Sequence, residues 1–306
     1  MRTAGLAFTG WLEKESATTK ESPMQKILVI SSTGKVGSEL IPLLANAGEH
    51  VRAATRNPAS LTASSNIEPV RYDFEDRSTF APALAGVDRV FLIEPQPPLA
   101  GPSEQFMVPF VEAVAEAGAK IVFLSSASVD FDSSDPLLKV EAAIKASGQP
   151  YVILRSNWFM DNFHTLWLGP ILEAGIIPVP AADSRISFID TRDIAAAATA
   201  ALCSDRFDRR VLTITGPTAL NFYEAAQAIS AVSGRNVTYV PIDDVAFRQS
   251  LLAAGLPPEL VDYLSNIFDH TRRGVAAAVT PAIEDLCGRP PRTFADYASH
   301  RADAWR

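Results

Sequence analysis

Short apolar runs alternate with amphipathic stretches along the first half of the chain. KILVIS is the continuous apolar run expected of a parallel strand that is covered on both faces. In the following KVGSELIPLLANAG, apolar residues recur at helical spacing, and Gly48 stands where a helix often ends. The residues expected to share the buried face of this helix are Val36, Leu40, Leu43 and Leu44.

Strand and helix signals continue to alternate as far as Arg155. Apolar runs predict strands in HVRAATR, IEPVRYD, RVFLIEP, KIVFLSS and YVILR, and helical spacing predicts helices in SEQFMVPFVEAVAEAG and DPLLKVEAAIKASG. Strands that alternate with helices form a parallel sheet with right-handed crossovers. The predicted fold class is therefore α/β, a doubly wound parallel Rossmann sheet with a smaller, mostly helical C-terminal cap.

The pattern changes after Arg155. SNWFMDNFHTLWLGPILEAG is rich in aromatic residues, and RISFIDTRDIAAAATAAL then predicts a strand and a helix that return to the sheet. RVLTIT and NVTYVPI predict later strands. The expected division is a disordered tail over 1–23, an NAD(P)-binding Rossmann core over 24–156 to which 184–216 returns, and a substrate and cap region over 157–183 and 217–306.

Composition and charge argue against two classes of partner. The 306-residue chain is 47% hydrophobic and 20% charged, with a net charge of -8. Nucleic-acid binders usually carry a basic face, and no cluster of Lys and Arg stands out, so nucleic acid is not expected as a partner. No apolar run approaches the roughly 18 residues of a membrane span, so no membrane partner is expected either.

Cysteine usage and the N-terminal segment bear on location. Cys203 and Cys287 form no C-x-x-C pair and have no histidine at metal spacing, so no metal site is expected. Two cysteines of this kind are typical of a reducing compartment, and a cytoplasmic location is expected. AGLAFTGWL is similar to a short signal-peptide core, but no clean small-x-small cleavage site follows, so an unpacked tail is preferred.

The turn after the first strand, SSTGKVG, is similar to a dinucleotide-binding turn with one glycine replaced. The first glycine of such a turn allows a tight bend, the second lets the backbone approach the pyrophosphate, and the third lets helix and strand pack closely. Gly34 and Gly37 take the second and third places. Ser31 takes the first and is expected to keep a negative φ. Thr33 and Lys35 add a hydroxyl and a charge near a helix N-terminus that suits phosphate.

Several segments in order carry a resemblance to a known family: TGKVGSEL, AATRNP, YDFED, VFLIEP, SGQPYVILRSNWFMDNF and FIDTRDIAAAATAAL. This set resembles the NmrA-like atypical short-chain dehydrogenase/reductases, and the resemblance runs from Gln25 nearly to the C-terminus. That group includes NAD(P)H-dependent quinone reductases, isoflavone-type reductases, ergot-alkaloid dehydrogenase-like proteins and redox-sensing regulators. The combination is specific for the family but not for a substrate.

The resemblance implies roles for residues at the carboxyl ends of the strands. The turn should hold the pyrophosphate, Arg56 should contact the adenosine ribose and its 2′-phosphate, and later strand ends should contact the adenine and the nicotinamide side. The implied cofactor-binding residues are Ser32, Thr33, Gly34, Lys35, Val36, Gly37, Arg56, Asp73, Phe74, Glu94, Pro95, Ser125, Ser126 and Asn157. The implied substrate-pocket residues are Trp158, Phe159 and Phe163.

Structural alternatives stand beside these roles. Arg56 could be a solvated charge, and Asp73 could cap a turn. The two serines that end the fifth predicted strand could be turn residues. Trp158, Phe159 and Phe163 could be core between the sheet and the cap, because aromatic residues at helical spacing usually are.

The second strand indicates which dinucleotide is bound. NAD-preferring sites usually end this strand with an acidic residue that bonds the ribose hydroxyls. No Asp or Glu occurs between Val51 and Ile67, and Arg56 stands at the expected strand end, with Arg52 expected nearby. A guanidinium can form paired hydrogen bonds with a phosphate, so NADP(H) is expected to be preferred over NAD(H).

The catalytic pattern of ordinary short-chain dehydrogenases, Tyr-x-x-x-Lys, is incomplete. Lys139 lies on the matching helix, but Asp135 stands four residues before it in place of the tyrosine. Lys139 is a candidate proton donor or ribose contact, with a solvated lysine as the preferred alternative. His164 is a candidate proton donor near the pocket, with a structural histidine as its alternative.

These observations favour an NADP(H)-dependent reductase of a small conjugated or electrophilic substrate, of the quinone, enone or iminium type. Hydride transfer to such groups needs little acid or base help, because the cofactor carries the difficult chemistry. Two alternatives stay open: a non-enzymatic NAD(P)-binding redox sensor, and a cofactor-dependent redox-neutral enzyme. A homodimer also stays open.

Overall fold

A seven-stranded parallel sheet forms the centre of this computed structural model, which describes residues 24–94 and 102–306. The predicted tail over 1–23 and Pro95 lie outside the described residues. The strands are β1 Lys26–Val29, β2 His50–Thr55, β3 Ile67–Arg71, β4 Arg89–Ile93, β5 Lys120–Ser126, β6 Tyr151–Ser156, β7 Ile176–Val179, β8 Arg210–Ile214 and β9 Thr238–Pro241.

The strand order of the large sheet is β3-β2-β1-β4-β5-β6-β8, and every neighbouring pair is parallel. The direction of the order reverses at β1, so the carboxyl ends of β1 and β4 flank a crevice where such sheets bind ligands. The predicted doubly wound α/β fold is confirmed.

Helices cover both faces of this sheet. The helices are α1 Gly37–Asn46, α2 Phe80–Leu84, α3 Glu104–Glu116, α4 Leu137–Ala146, α5 Leu168–Ala174, α6 Thr191–Leu202, α7 Phe222–Ser233, α8 Asp244–Ala253, α9 Pro258–Arg272, α10 Ala282–Cys287 and α11 Phe294–His300. One buried cluster joins the sheet to α1, α6 and α10, and a second joins its other face to α2, α3 and α4. None of these helices is long and apolar enough to cross a membrane, within the part of the chain that the structure describes.

Helix α1 follows its predicted pattern with one exception. Leu40 and Leu44 are fully buried, and Gly48 has a φ of +87° just beyond the helix end. Leu43 was expected on the buried face but is 38% exposed, while Ile41 is buried. Position 41 lies one residue after Leu40 on the helix, so the buried face is rotated slightly from the predicted one.

The cap contains a second, two-stranded sheet in which β7 and β9 pair in parallel. Its strands pack with α7 and α11 in a third buried cluster that is dominated by aromatic side chains. Members of this cluster include Phe163, Phe188, Phe222, Phe268, Tyr297 and Trp305. The strand predicted in NVTYVPI is present as β9, whereas the sequence pattern missed β7.

The prediction of a strand in RISFID is wrong, whereas the prediction of a helix after it is confirmed by α6. Ile186 makes an isolated bridge with Leu220, and Ile189 makes another with Phe159. Ser187 donates its backbone N–H to Ala276. These separate partners satisfy the backbone without a ladder, so the strand that extends the sheet beyond β6 is β8 instead.

Candidate functional site

The turn between β1 and α1 is held in a strained form. Ser31 has a φ of +56°, so the expected negative φ is wrong. Its carbonyl oxygen accepts a hydrogen bond from the backbone N–H of Gly34 at 2.9 Å. Ser32 is buried, and its hydroxyl donates to the carbonyl of Ala54 in β2 at 2.7 Å. These bonds hold Ser31 in the left-handed region that a glycine adopts without cost.

The two glycines of the turn stand where side chains have little or no room. A Cβ on Gly37 would lie 2.3 Å from the carbonyl oxygen of Ser31 and 2.8 Å from the Cα of Ser32. A Cβ on Gly34 would lie 3.1 Å from the same carbonyl oxygen. Gly37 therefore permits the close contact of α1 with β1, which is the packing role of the third glycine in a dinucleotide turn. Val36, just before α1, is buried and packs with Leu40.

Lys35 extends from this turn towards the cap segment that follows β6. Its Nζ donates to Oδ1 of Asn162 at 3.2 Å. Burial lowers the pKa of Lys35, while the charge of Asp161 acts in the opposite direction. Thr33 is exposed beside it. The turn therefore presents a cation, a hydroxyl and the N-terminus of α1 on one side.

Two arginines of the second strand differ in their contacts. Arg52 is buried, and its guanidinium donates to the carbonyls of Pro82 and Ala83 and pairs with Glu68 at 3.1 Å. The Arg52 guanidinium thus stabilises the end of α2. Arg56 is exposed just past β2, and it has no hydrogen bond or ion pair with any residue that the structure describes.

Asp73 and Phe74 lie just beyond β3 and have structural contacts. Oδ1 of Asp73 accepts from the backbone N–H of Glu75 at 3.1 Å, the turn-capping geometry that was its alternative role. Phe74 is buried, with its ring centroid 5.1 Å from that of Tyr72 and 6.0 Å from that of Phe110. The contact of these two residues with adenine stays a prediction.

The ends of β4 and β5 carry a carboxylate and two serines. Burial raises the pKa of Glu94, and the charge of Asp135 raises it further against a hydrogen bond from Ser103. Ser125 donates to Oε1 of Glu141 at 2.8 Å. The hydroxyl of Ser126 accepts a hydrogen bond from the hydroxyl of Ser128 at 2.7 Å. Both serine side chains thus have partners within the protein.

The two residues at the positions of Tyr and Lys in the Tyr-x-x-x-Lys pattern, Asp135 and Lys139, form hydrogen bonds within the protein. Oδ1 of Asp135 accepts from the backbone N–H of Leu137 at 2.9 Å, and its Oδ2 accepts from Ser128 at 2.8 Å. Lys139 is 70% exposed and donates to Glu104 on α3 at 2.8 Å. This geometry favours the solvated-lysine alternative.

The segment after β6 fastens the sheet to the cap. Nδ2 of Asn157 donates to Ser187 at 2.7 Å and to the carbonyl of Ala276 at 2.8 Å. Trp158 stacks on Trp167 with ring centroids 6.1 Å apart and lies 5.0 Å from Phe268. Trp158 is partly exposed at the boundary of the cap.

Phe159, Phe163 and His164 pack farther along the same segment. Phe159 is partly buried and bridges to Ile189, while Phe163 is fully buried within the cap cluster. Nδ1 of His164 lies 2.7 Å from the hydroxyl of Tyr297. Burial lowers the pKa of His164 against the charge of Asp161. The ring of Phe163 and the imidazole of His164 therefore have the contacts of structural residues.

A cavity of about 350 Å³ separates the loop before α4 from the cap helix α9. Its lining residues are Asp132, Ser134, Asp135, Pro136, Glu259, Asp262, Tyr263 and Asn266. The wall of this cavity that contains Asp135 lies next to the segment that follows β5, because Asp135 accepts a hydrogen bond from Ser128. No group of three or more His, Cys, Asp or Glu side chains among residues 24–94 and 102–306 is arranged to hold a metal ion.

Comparison with known proteins identifies the family. The NmrA-like family matches residues 23–298. The chain belongs to the NmrA-like family. The resemblance seen in its sequence segments is confirmed.

Relatives of this NmrA-like protein match along almost their whole length. A (4-alkanoyl-5-oxo-2,5-dihydrofuran-3-yl)methyl phosphate reductase of Streptomyces griseus is 32% identical over 91% of this chain and 99% of its own. An NAD(P)H azoreductase of Xenophilus azovorans is 30% identical over the same shares. The solved NADPH complex of the NADPH-dependent quinone oxidoreductase of Escherichia coli is 25% identical, with a TM-score of 0.80 over 90% of this chain and 99% of that one.

Sequence reasoning on this NmrA-like protein missed residues whose partners are distant in the chain. Asp161 is buried, and its carboxylate accepts from the backbone N–H of Thr191 at 3.2 Å and from Arg301 at 3.4 Å. Tyr263 lines the cavity beside Asp135 from a helix more than a hundred residues later. Asp161 lies within the aromatic segment NWFMDNF, which is a signal that could have found it. No sequence pattern marks Tyr263.

Proposed function

We propose that this NmrA-like protein is an NADP(H)-dependent reductase that transfers hydride to a small conjugated or electrophilic substrate of the quinone, enone or iminium type. The names of its relatives support this class, since they specify a dihydrofuranone phosphate, an azo group and a quinone. All three are conjugated, electron-poor groups. Such groups accept hydride with little acid or base help, which suits a chain without the usual tyrosine.

The observation that carries the proposal is the fit of the turn over 31–37 to a pyrophosphate. A Cβ on Gly34 would crowd the carbonyl oxygen of Ser31 at 3.1 Å, and Gly37 lets α1 begin directly behind the turn. Glycines at these two places are what a pyrophosphate-binding turn requires. The N-terminus of α1 and the ammonium of Lys35 supply positive charge there. These residues would hold the dinucleotide, which supplies a hydride when it is bound.

The other proposed contacts follow the carboxyl edge of the sheet. Arg56 would contact the 2′-phosphate, and Asp73 and Phe74 would lie beside the adenine. Glu94 would lie beside the nicotinamide ribose, and Ser125, Ser126 and Asn157 would lie near the nicotinamide. The cap over 157–183 and 217–306 would then form the substrate side, with Trp158 at its boundary.

The test of activity is NADPH consumption with a quinone, an enone and an azo dye, in the wild type and in Gly34→Val. A branched side chain at position 34 would crowd the carbonyl oxygen of Ser31, 3.1 Å from its Cβ, and distort the turn proposed to hold the pyrophosphate, so the variant should lose both NADPH binding and turnover. Circular dichroism serves as the control for folding. Turnover in the wild type that disappears in Gly34→Val supports the proposal.

Other outcomes would point to the alternatives. NADPH binding without turnover of any acceptor would contradict the reductase and favour a redox sensor, to which the structural contacts of Asp135 and Lys139 also give some support. Product formation without net loss of NADPH would favour a redox-neutral enzyme. Unchanged NADPH binding in Gly34→Val would remove this turn as the cofactor site.

The preference for NADP(H) has its own test at Arg56. Its guanidinium is exposed and has no partner among the described residues, so it can form charge-assisted hydrogen bonds with a 2′-phosphate. Hydrogen bonds to charged groups contribute about 1.5–3 kcal/mol, or about ten- to a hundredfold in affinity. Fluorescence titrations should therefore show that preference for NADPH over NADH in the wild type. Arg56→Ala should remove most of it and leave NADH binding nearly unchanged, whereas equal wild-type affinities would contradict the assignment.

A further inference from the structure

The cap helix α9 turns one tyrosine away from its buried face. Val261, Ser265 and Phe268 are buried against the cap. Tyr263 lies between them in sequence on another side of the helix and is 49% exposed. Its side chain lines the cavity of about 350 Å³ between α9 and the loop before α4. A large amphipathic side chain thus faces the cleft between sheet and cap.

The opposite wall of this cavity belongs to the predicted nicotinamide end of the sheet. Asp135, which stands where ordinary short-chain dehydrogenases have their tyrosine, lines the same cavity as Tyr263. Partial loss of solvent around the Tyr263 side chain raises the pKa of its hydroxyl, and the charges of Glu94 and Asp135 raise it further. These carboxylates follow β4 and β5. Tyr263 therefore lines a cavity whose other wall includes Asp135, on the side of the sheet where the reacting group of a substrate would lie.

The hydroxyl of Tyr263 is available to a ligand, in contrast to those of Tyr239 and Tyr297. Tyr239 donates to the carbonyl of Val179 at 3.0 Å, and Tyr297 lies 2.7 Å from His164. Tyr263 has no hydrogen-bond partner among the residues that the structure describes. A tyrosine hydroxyl is protonated at neutral pH, so that of Tyr263 can act as a hydrogen-bond donor.

The two donors considered from the sequence are less suited to the substrate. Lys139 is bound to Glu104, and His164 is bound to Tyr297. A reduced enone nevertheless needs a proton, because hydride addition to its β-carbon leaves a negative charge on the carbonyl oxygen. Tyr263 on α9 is a hydroxyl donor that lines this cavity.

We propose that Tyr263 is a catalytic residue that donates a hydrogen bond, and then a proton, to the acceptor oxygen of the substrate. This inference rests on the proposed reductase function, in which a reduced nicotinamide is the source of the hydride. As the two electrons of the hydride form the new C–H bond at the β-carbon, the alkene π electrons form a double bond between the α-carbon and the carbonyl carbon, and the carbonyl π electrons move to oxygen. The O–H bond of Tyr263 breaks as its proton joins that oxygen, and the phenolate recovers a proton from water. The enol formed in this way then tautomerises in water to the saturated ketone. In this way the cap supplies the donor that is missing from α4.

The test compares two acceptors that differ in their need for a proton. A cyclic enone needs a hydride and a proton, whereas a triarylmethyl cation dye is neutralised by the hydride alone. Tyr263→Phe should lower kcat/KM for the enone by about a hundredfold, the low end of general-acid effects. It should change dye reduction by less than about twofold, and leave the melting temperature and NADPH affinity unchanged, because the Tyr263 hydroxyl is partly exposed and has no partner among the described residues.

A second readout needs no turnover. A saturated cyclic ketone that cannot be reduced as an enone should bind the cofactor-free protein, as followed by quenching of tryptophan fluorescence. Loss of one neutral hydrogen bond weakens binding by about three- to tenfold, and Tyr263→Phe should show this loss.

Tyr223→Phe is the matched control. Tyr223 is also a cap tyrosine, 45% exposed, but it lines a separate cavity of about 290 Å³ between α7 and β9. This variant should behave as the wild type in every assay. Equal losses on enone and dye, unchanged enone reduction in Tyr263→Phe, or an equal effect of Tyr223→Phe would overturn the proposal. Failure of the proposed function is seen separately, as absence of turnover in the wild type, and this inference would be overturned with it.

Discussion

At the scale of single residues, the turn shows what a sequence can and cannot specify. The places of Gly34 and Gly37 could be predicted, because each glycine has a steric reason that the motif states. The conformation of Ser31 could not, since its φ is fixed by the bonds that close the turn and by Ser32 binding Ala54 on the next strand. Partners that are distant in sequence decide such details.

Ser31→Gly should stabilise the protein. Holding a residue other than glycine in the left-handed region costs roughly 1–2 kcal/mol of folding free energy. Glycine avoids this cost but loses about 0.5–1 kcal/mol of stability, because its more flexible unfolded chain loses more entropy on folding. The free energy of unfolding in urea should therefore rise by up to about 1 kcal/mol. NADPH affinity should be unchanged or slightly higher.

Ala182→Gly is the control for this change. Ala182 also has a positive φ, of +48°, but lies in the cap. It should show a similar gain in stability with no effect on NADPH affinity. A loss of stability in Ser31→Gly would mean that the Ser31 side chain makes a favourable contact that outweighs the strain of its backbone.

At the scale of elements, continuous apolar runs predicted the strands whose side chains are buried by helices on both faces. The hydrophobic pattern did not predict the structure where an element is very short or where its backbone pairs with several distant segments. Helix α2 has five residues, too few to show a helical period, and RISFID has an apolar pattern but pairs with three separate segments. The position of α4 against the sheet depends on Glu141, a fully buried carboxylate that no periodicity distinguishes.

Glu141→Gln should loosen α4 and change the response to acid. Glu141 is bound by Arg155 through two nitrogens and by Ser125 and Lys145. Although burial raises the pKa of Glu141, hydrogen bonds from these groups lower it overall. Removing one partner of a buried ion pair costs about 3–5 kcal/mol, and the remaining contact of Arg155 with Asp130 places this variant at the low end.

The acid response follows from the sign of this shift. A carboxylate with a lowered pKa contributes stability above its ordinary pKa near 4.5, and this contribution is lost as the pH falls. The difference between wild type and Glu141→Gln in urea unfolding should therefore shrink below that pH. The exposed Glu112→Gln on the outer surface of α3 is the control and should change little at any pH. A constant difference down to strongly acidic pH would contradict the role given to Glu141.

At the scale of the whole molecule, the sheet order and the return of the chain through α6 and β8 place the cap over the carboxyl edge. The alternation of elements predicted the sheet, but it could not place α9 opposite Asp135, because that contact depends on how the cap cluster packs. The C-terminal segment is fixed in a similar way, by Arg289 and Arg292 on the buried Asp193 of α6. Both contacts join parts of the chain that are about a hundred residues or more apart, beyond the range of local patterns.

The central claim is hydride transfer from NADPH to a conjugated acceptor in the cleft between sheet and cap. The most direct measurement uses NADPH that carries deuterium at C4 on one face or the other, with a cyclic enone as acceptor and mass spectrometry of the product. One of the two labelled forms should transfer its deuterium to the β-carbon of the saturated product, and the other should not. A reduced product without deuterium from either form, or NADPH that stays bound and unconsumed, would contradict the account.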